Sequence, residues 1–258
     1  MMMMNYFKKN TLLILCCGLI LAASCQKGQV KPQEVIDEAI GNQTSKETLA
    51  NVPQYGTGWV QKTYTYVLHK PYNLDTNARH SYNGTFEEHT FWIYNTDSAF
   101  QAGSNTSPRS EMRMKHNSTN PGYDYYTVGN HQFEADMKVD SGSANPIIMQ
   151  VFGTAVANDK PAFNIKVYPY NGGELRFFDG RVLATNIYGT WVHINVVHAT
   201  AERKFHVFIN GTEVTNGNGK YYFEDKGAGQ HYFKCGVYTS QSAISKVKIK
   251  HIRYYYKP

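Results

Sequence analysis

From residue 56 onward, hydrophobic and polar positions alternate. Short runs rich in Tyr, Phe, Val, Ile and Thr change face at every residue: HTFWIY, HQFEADMKVD, PIIMQVFG, FNIKVY, ELRFF, WVHINVVHA, KFHVFING, HYFKCGVYT and SKVKIKHIRYYY. A period of two is that of a strand with one buried face. Gly, Asn, Asp and Pro punctuate the runs, and Asp179-Gly180 and Asn210-Gly211 are hairpin turn signals. No helix of ordinary length interrupts them. Many short strands at regular spacing predict an all-β domain over 56–258. The expected architecture is a two-sheet sandwich or jelly roll with a concave face open to an extended polymer.

The pattern before residue 56 is different. Lys8 and Lys9 precede the apolar run TLLILCCGLILAAS, too short to span a membrane comfortably and followed by Cys25. LAASC resembles a bacterial lipoprotein cleavage site, although Ala22 stands where such sites usually carry Leu. Residues 1–25 are therefore expected to be an export leader, with Cys25 lipidated and the protein held at the outer membrane, cell surface or periplasm. An ordinary secretory signal cut nearby is the alternative. Residues 26–55 are polar and read as a tether, with a short helix expected after Pro32.

Removing the leader takes away Cys16 and Cys17, and the lipid uses Cys25. Only Cys235 remains, so no intramolecular disulfide forms and the core must supply stability. A domain of roughly 200 residues is large enough for that. Cys235 shares the apolar face of its run with Phe233 and Val237, which is the setting of an inert thiol. The net charge of +6 suits an anionic partner. No Lys/Arg run or nucleic-acid motif is present, so an acidic polysaccharide is the expected anion. A monomer is expected.

Three stretches carry candidate chemistry. In PRSEMRMKH, Arg109, Glu111 and Arg113 share one face, opposite Ser110, Met112 and Met114. Such a ladder is either an exposed salt-bridge row or a carboxylate fork. In MQVFG, Gln150 and Phe152 share a face. In HYFKCGVY, Tyr232, Lys234, Gly236 and Tyr238 lie opposite Phe233, Cys235 and Val237. Tyrosine serves as acid or base when nearby cations lower its pKa from about 10.

PRSEMR, QVFG and YFKCGVY occur in the same order as three signature segments of the β-jelly-roll polysaccharide lyases. The alginate lyases of family seven carry R-S/T-E-L-R, Q-I-H and Y-F-K-A-G-x-Y-x-Q. The resemblance runs from GTFEEHTFWIY to IRYYYKP. QVFG, HYFKCGVY and the H-x-F-W segment also resemble the glucuronan lyases and the plant citrate-binding proteins of this fold. Two departures stand out. Phe152 replaces the histidine of Q-I-H, and Gln241 falls one position late.

The resemblance implies elimination across C4–C5 of a uronate. Arg109 or Arg113, with Gln150, would neutralise the carboxylate. Tyr232 would be base, acid or both, and Lys234 would lower its pKa or bind a neighbouring carboxylate. Glu111 would hold the arginines, and Tyr238 would line a subsite or pack. Without the histidine, one tyrosine must do both jobs. That favours uronates whose H5 and leaving oxygen lie on the same ring face, as in glucuronan or mannuronate-rich alginate. His116, just past the arginine motif, is the candidate replacement base. Lys166 and Tyr168, on one face with Asn164, are candidate cleft-floor contacts.

Two other functions compete. A lectin-like or citrate-binding-like module on the same scaffold would bind without turnover. A jelly-roll glycoside hydrolase would pair Glu111 with Glu134, but no E-x-D-x-x-E pattern is present. No His/Asp/Glu cluster has metal-ligand spacing, so no cofactor is implied; a structural calcium in a loop would leave no spacing to read.

Overall fold

The computed structural model describes residues 57–153 and 161–258. The expected leader, Cys25 and the whole of the tether lie outside them. The described chain is a β-jelly roll of two antiparallel sheets. In chain order its strands are β1 (Val60–Lys62), β2 (Thr65–His69), β3 (His80–Asn83), β4 (Glu88–Tyr94), β5 (Arg109–Lys115), β6 (Asn130–Val139), β7 (Ile147–Gly153) and β8 (Phe163–Tyr168). There follow β9 (Glu174–Phe177), β10 (Val182–Ala184), β11 (Val192–Ala199), β12 (Lys204–Ile209), β13 (Thr212–Glu213), β14 (Phe223–Glu224), β15 (His231–Tyr238) and β16 (Ile244–Lys257). Among the described residues a single 3-10 turn, Thr76–Ala78, is the one helical element.

The nine-stranded sheet runs β13-β12-β11-β6-β16-β4-β3, with β1 added to β16 and β14 to β12. The seven-stranded sheet runs β10-β9-β8-β7-β15-β5-β2. Between them lies the core. Phe133, Ala135 and Met137 of β6 and Ile194 and Val196 of β11 face Met112 and Met114 of β5 and Phe233, Cys235 and Val237 of β15. Apart from Ser110, His131, His198 and His231 near strand ends, every second residue of these strands is apolar, so pleating delivers that face to the interior. The two predicted turns form. Asn210 and Gly211 both take positive φ between β12 and β13, and Asp179-Gly180 closes β9 onto β10.

The same parity places His116 inward. Arg109, Glu111 and Arg113 face out, so Ser110, Met112, Met114 and His116 face in. His116 is fully buried among the rings of Tyr126, Phe233 and Tyr254, and its Nε2 accepts the Phe233 backbone N–H at 3.2 Å. Burial holds its pKa well below the ordinary value. It is a core histidine and does not reach the outer face, so the expected role as replacement base is corrected. Glu111 and Glu134 lie on the outer faces of different sheets, which removes the paired-carboxylate hydrolase.

Candidate active site

The outer face of the seven-stranded sheet gathers the predicted residues on three adjacent strands. Register sets Asn164 of β8 beside Gln150 of β7, Gln150 beside Lys234 of β15, and Lys234 beside Arg113 of β5. One step along, Gly236, Glu111 and His69 of β2 form a second row. Tyr238 pairs with Arg109 at one end, and Tyr232 with Phe152 at the other.

Glu111 is the centre. Its carboxylate accepts from Lys234 Nζ, from Gln150 Nε2 at 2.8 Å and from Arg109 Nη1 at 3.3 Å. Glu111 and Lys234 are each only 2 % exposed. So close an ion pair in so dry a place requires this full set of partners. Burial lowers the Lys234 pKa, and Arg109 and Arg113 add to that, while Glu111 opposes. Three cations therefore surround one carboxylate. Arg113 has no carboxylate partner among the described residues, and the Nε atoms of both arginines are buried without a hydrogen bond.

The tyrosines flank this centre. The Arg109 guanidinium carbon lies 4.2 Å from the Tyr238 ring centroid, and that of Arg113 lies 4.3 Å from the Tyr232 ring. Tyr232 also stacks on Phe152, with centroids 5.3 Å apart. Lys234 turns to Glu111, away from the role expected for it beside Tyr232. Burial raises the Tyr232 pKa, outweighing the pull of Arg113 and Arg109. The expected cation-lowered hydroxyl is thus not what the fold produces. Lys166 lies on the same outer face, two strands from β15, with its ammonium 2.9 Å from Asp179 and Tyr168 on the same carboxylate.

His69 is the residue that sequence reasoning missed. It stacks on Phe100 at 4.1 Å, and its Nδ1 lies 4.0 Å from Glu111 without a hydrogen-bond partner. Burial holds its pKa well below the ordinary value, reinforced by Lys234, Arg109 and Arg113. It is a neutral imidazole at the centre of the site. One signal was available: Thr65, Val67 and His69 share a parity in TYVLH.

A family model described as "Alginate lyase" matches residues 63–255. The chain belongs to the alginate lyase family. A citrate-binding protein from Hevea brasiliensis is 36 % identical over 180 residues, 70 % of this chain and 67 % of that protein. An alginate lyase from Corynebacterium sp. superposes with a TM-score of 0.54 at 14 % identity, covering 71 % of this chain and 83 % of the other. An alginate lyase from Pseudomonas aeruginosa gives 0.53 at 17 % identity, covering 74 % and 98 %. These likenesses to solved structures establish the jelly roll of the family and leave the chemistry to the residues.

Proposed function

We propose that this member of the alginate lyase family cleaves a uronate-containing polysaccharide by β-elimination on the outer face of the seven-stranded sheet. The observation that carries the reading is the excess of cationic side chains around Glu111, with a tyrosine at either end. An incoming uronate carboxylate meets Arg113, which has no counterion among the described residues, Arg109, which shares Glu111 with two other donors, and the second amide hydrogen of Gln150. Neutralising that carboxylate lets negative charge collect on it as H5 departs.

The elimination then needs a base for H5 and an acid for the leaving oxygen. The C5–H electrons become the C4–C5 double bond as the C4–O bond breaks. Tyr232, with its pKa raised, keeps its proton and suits donation. Tyr238 lies opposite Arg109 in the unbroken β15–β5 register and against its guanidinium, while β15 shifts register on β7 between Cys235 and Tyr238. Irregularities of this kind re-aim side chains beside active sites. The proton abstraction is assigned to Tyr238, which changes the expectation made for Tyr232. Phe152 stands where the Q-I-H histidine would serve as a separate base, so glucuronan or mannuronate-rich alginate is the proposed substrate. Export and lipid anchoring at Cys25 belong to this proposal and rest on the leader sequence alone.

The test is ultraviolet absorbance of the unsaturated product, with the purified chain on glucuronan, mannuronate- and guluronate-rich alginate, ulvan and glycosaminoglycans. The expected result is turnover of a same-face uronate, reduced about 100-fold or more in Tyr238→Phe and less in Tyr232→Phe. Preference for guluronate blocks, with activity lost in His69→Gln, would move the base to His69. The Hevea relative favours a second reading, a carboxylate-binding protein without turnover. Saturable binding of polymer or citrate with no absorbance change on any substrate would establish it.

A further inference from the structure

A second cluster lies away from this site, between the two sheets. His198 faces inward from β11 of the nine-stranded sheet, and His231 opens β15 of the seven-stranded sheet. Asp225 follows β14. His198 is distant in sequence from Asp225 and His231, which is why spacing revealed no ligand set. The Nε2 atoms of His198 and His231 lie 3.5 and 3.4 Å from the same Oδ2 of Asp225, and the three ligand atoms all fall within 4.8 Å of one another. His198 is 0 %, His231 5 % and Asp225 9 % exposed.

Those separations are long for hydrogen bonds, and both Nε2 atoms are buried without a partner. Left so, the burial costs free energy. They match a different geometry. Zinc bonds of about 2.0–2.2 Å in a tetrahedron set neighbouring ligand atoms roughly 3.3–3.6 Å apart. The surroundings orient two of the three donors, His198 and Asp225, in the same sense. Tyr126 Oη lies 3.0 Å from His198 Nδ1, which leaves Nε2 to coordinate. The Gly227 N–H donates to Asp225 Oδ1 at 2.7 Å, which leaves Oδ2. Arg203 Nε stands 3.8 Å from Oδ2, while Nη2 of the same side chain holds the carbonyls of Asp225 and Gly227.

We propose that His198, Asp225 and His231 bind a zinc ion, with water in the fourth position. The ion would tie the two sheets together and anchor the start of β15, the strand that carries Tyr232, Lys234 and Tyr238. Its role is structural, since none of its ligands faces the outer surface of the sheet.

The test uses the purified chain with its affinity tag removed, stripped by a chelator and titrated calorimetrically with zinc chloride. The expected result is one equivalent bound with submicromolar affinity and a higher melting temperature. His198→Gln, Asp225→Asn and His231→Gln should each weaken binding at least tenfold. His193→Gln should leave it unchanged; that residue sits in the outer-face cluster with Asp136 and His251. Cobalt(II) should give the visible bands of a four-coordinate site, a readout on the unmutated chain that needs no variant to fold. Absence of saturable zinc binding, colourless cobalt protein, or binding retained in all three variants would overturn the proposal.

Discussion

At the scale of single residues, the decisive fact is that Glu111 has no room to lose a partner. Its carboxylate and the Lys234 ammonium are buried together, and Arg109 and Gln150 complete the shell. The two halves of the pair are unequal. Lys234→Met leaves Glu111 with a guanidinium and an amide. Glu111→Gln leaves Lys234 buried beside Arg109 and Arg113, both of which already disfavour its charge. Removing one member of a buried pair typically costs about 3–5 kcal/mol. Glu111→Gln is expected to lose that much and Lys234→Met less, with the double variant recovering part of the loss. Urea unfolding of the three proteins measures it; strictly additive losses would mean that the pair is not coupled.

At the scale of elements, β5 and β15 were legible because each alternates cleanly, whereas β7 opens on Ile147, Ile148 and Met149 in a row and alternates only from there. Their side-by-side order joins strands far apart in the chain, which alternation does not encode. The same rule, carried one residue past Lys115, puts His116 inside against the expectation of a base, and its ring fills space between Tyr126 and Tyr254. His69 was harder, because its partner Glu111 comes from a strand elsewhere in the chain and only pairing of β2 with β5 joins them. Edge strands such as β3 and β14 were illegible for a simpler reason: so few residues contain no period. Gly236 shows what pattern alone conceals. Its φ is +139°, and a Cβ there would stand 2.4 Å from the Ser110 carbonyl oxygen and 2.5 Å from the Glu111 Cα. Backbone, not a movable side chain, blocks that position. Gly236→Ala must push β15 off β5, separating Tyr238 from Arg109. The backbone strain alone is worth about 1–3 kcal/mol. A lowered melting temperature with loss of any lyase or binding activity is expected. An unchanged melt would show that the strands meet less closely at this point.

At the scale of the whole molecule, the sandwich buries imidazoles in its interior and beneath its edge. His131 is pushed down to about 3, mainly by burial, and lies inside against Tyr254. His80 and His89 share a hydrogen bond at 3.0 Å and are pushed down to about 4 and about 3, again mainly by burial. Each binds a proton more weakly in the folded chain than in the unfolded one. Their neutral forms cost nothing above the ordinary histidine pKa of about 6.5. Below it the unfolded chain takes up protons that the folded chain refuses, so stability falls as pH falls toward the folded values. At pH 5 one such group accounts for about 2 kcal/mol, and the coupled pair counts for less than twice that. His193 acts in the opposite sense. Its hydrogen bond to Asp136 raises its pKa, so its contribution is complete below about 6.5 and is lost as pH rises through its folded value. It is one partly exposed group against several buried ones, so the depressed histidines win. The urea midpoint is expected to drop markedly between pH 7.5 and pH 5. A midpoint that stayed level over that range would mean that water reaches these rings, and that the two sheets do not close over them as tightly as their packing requires.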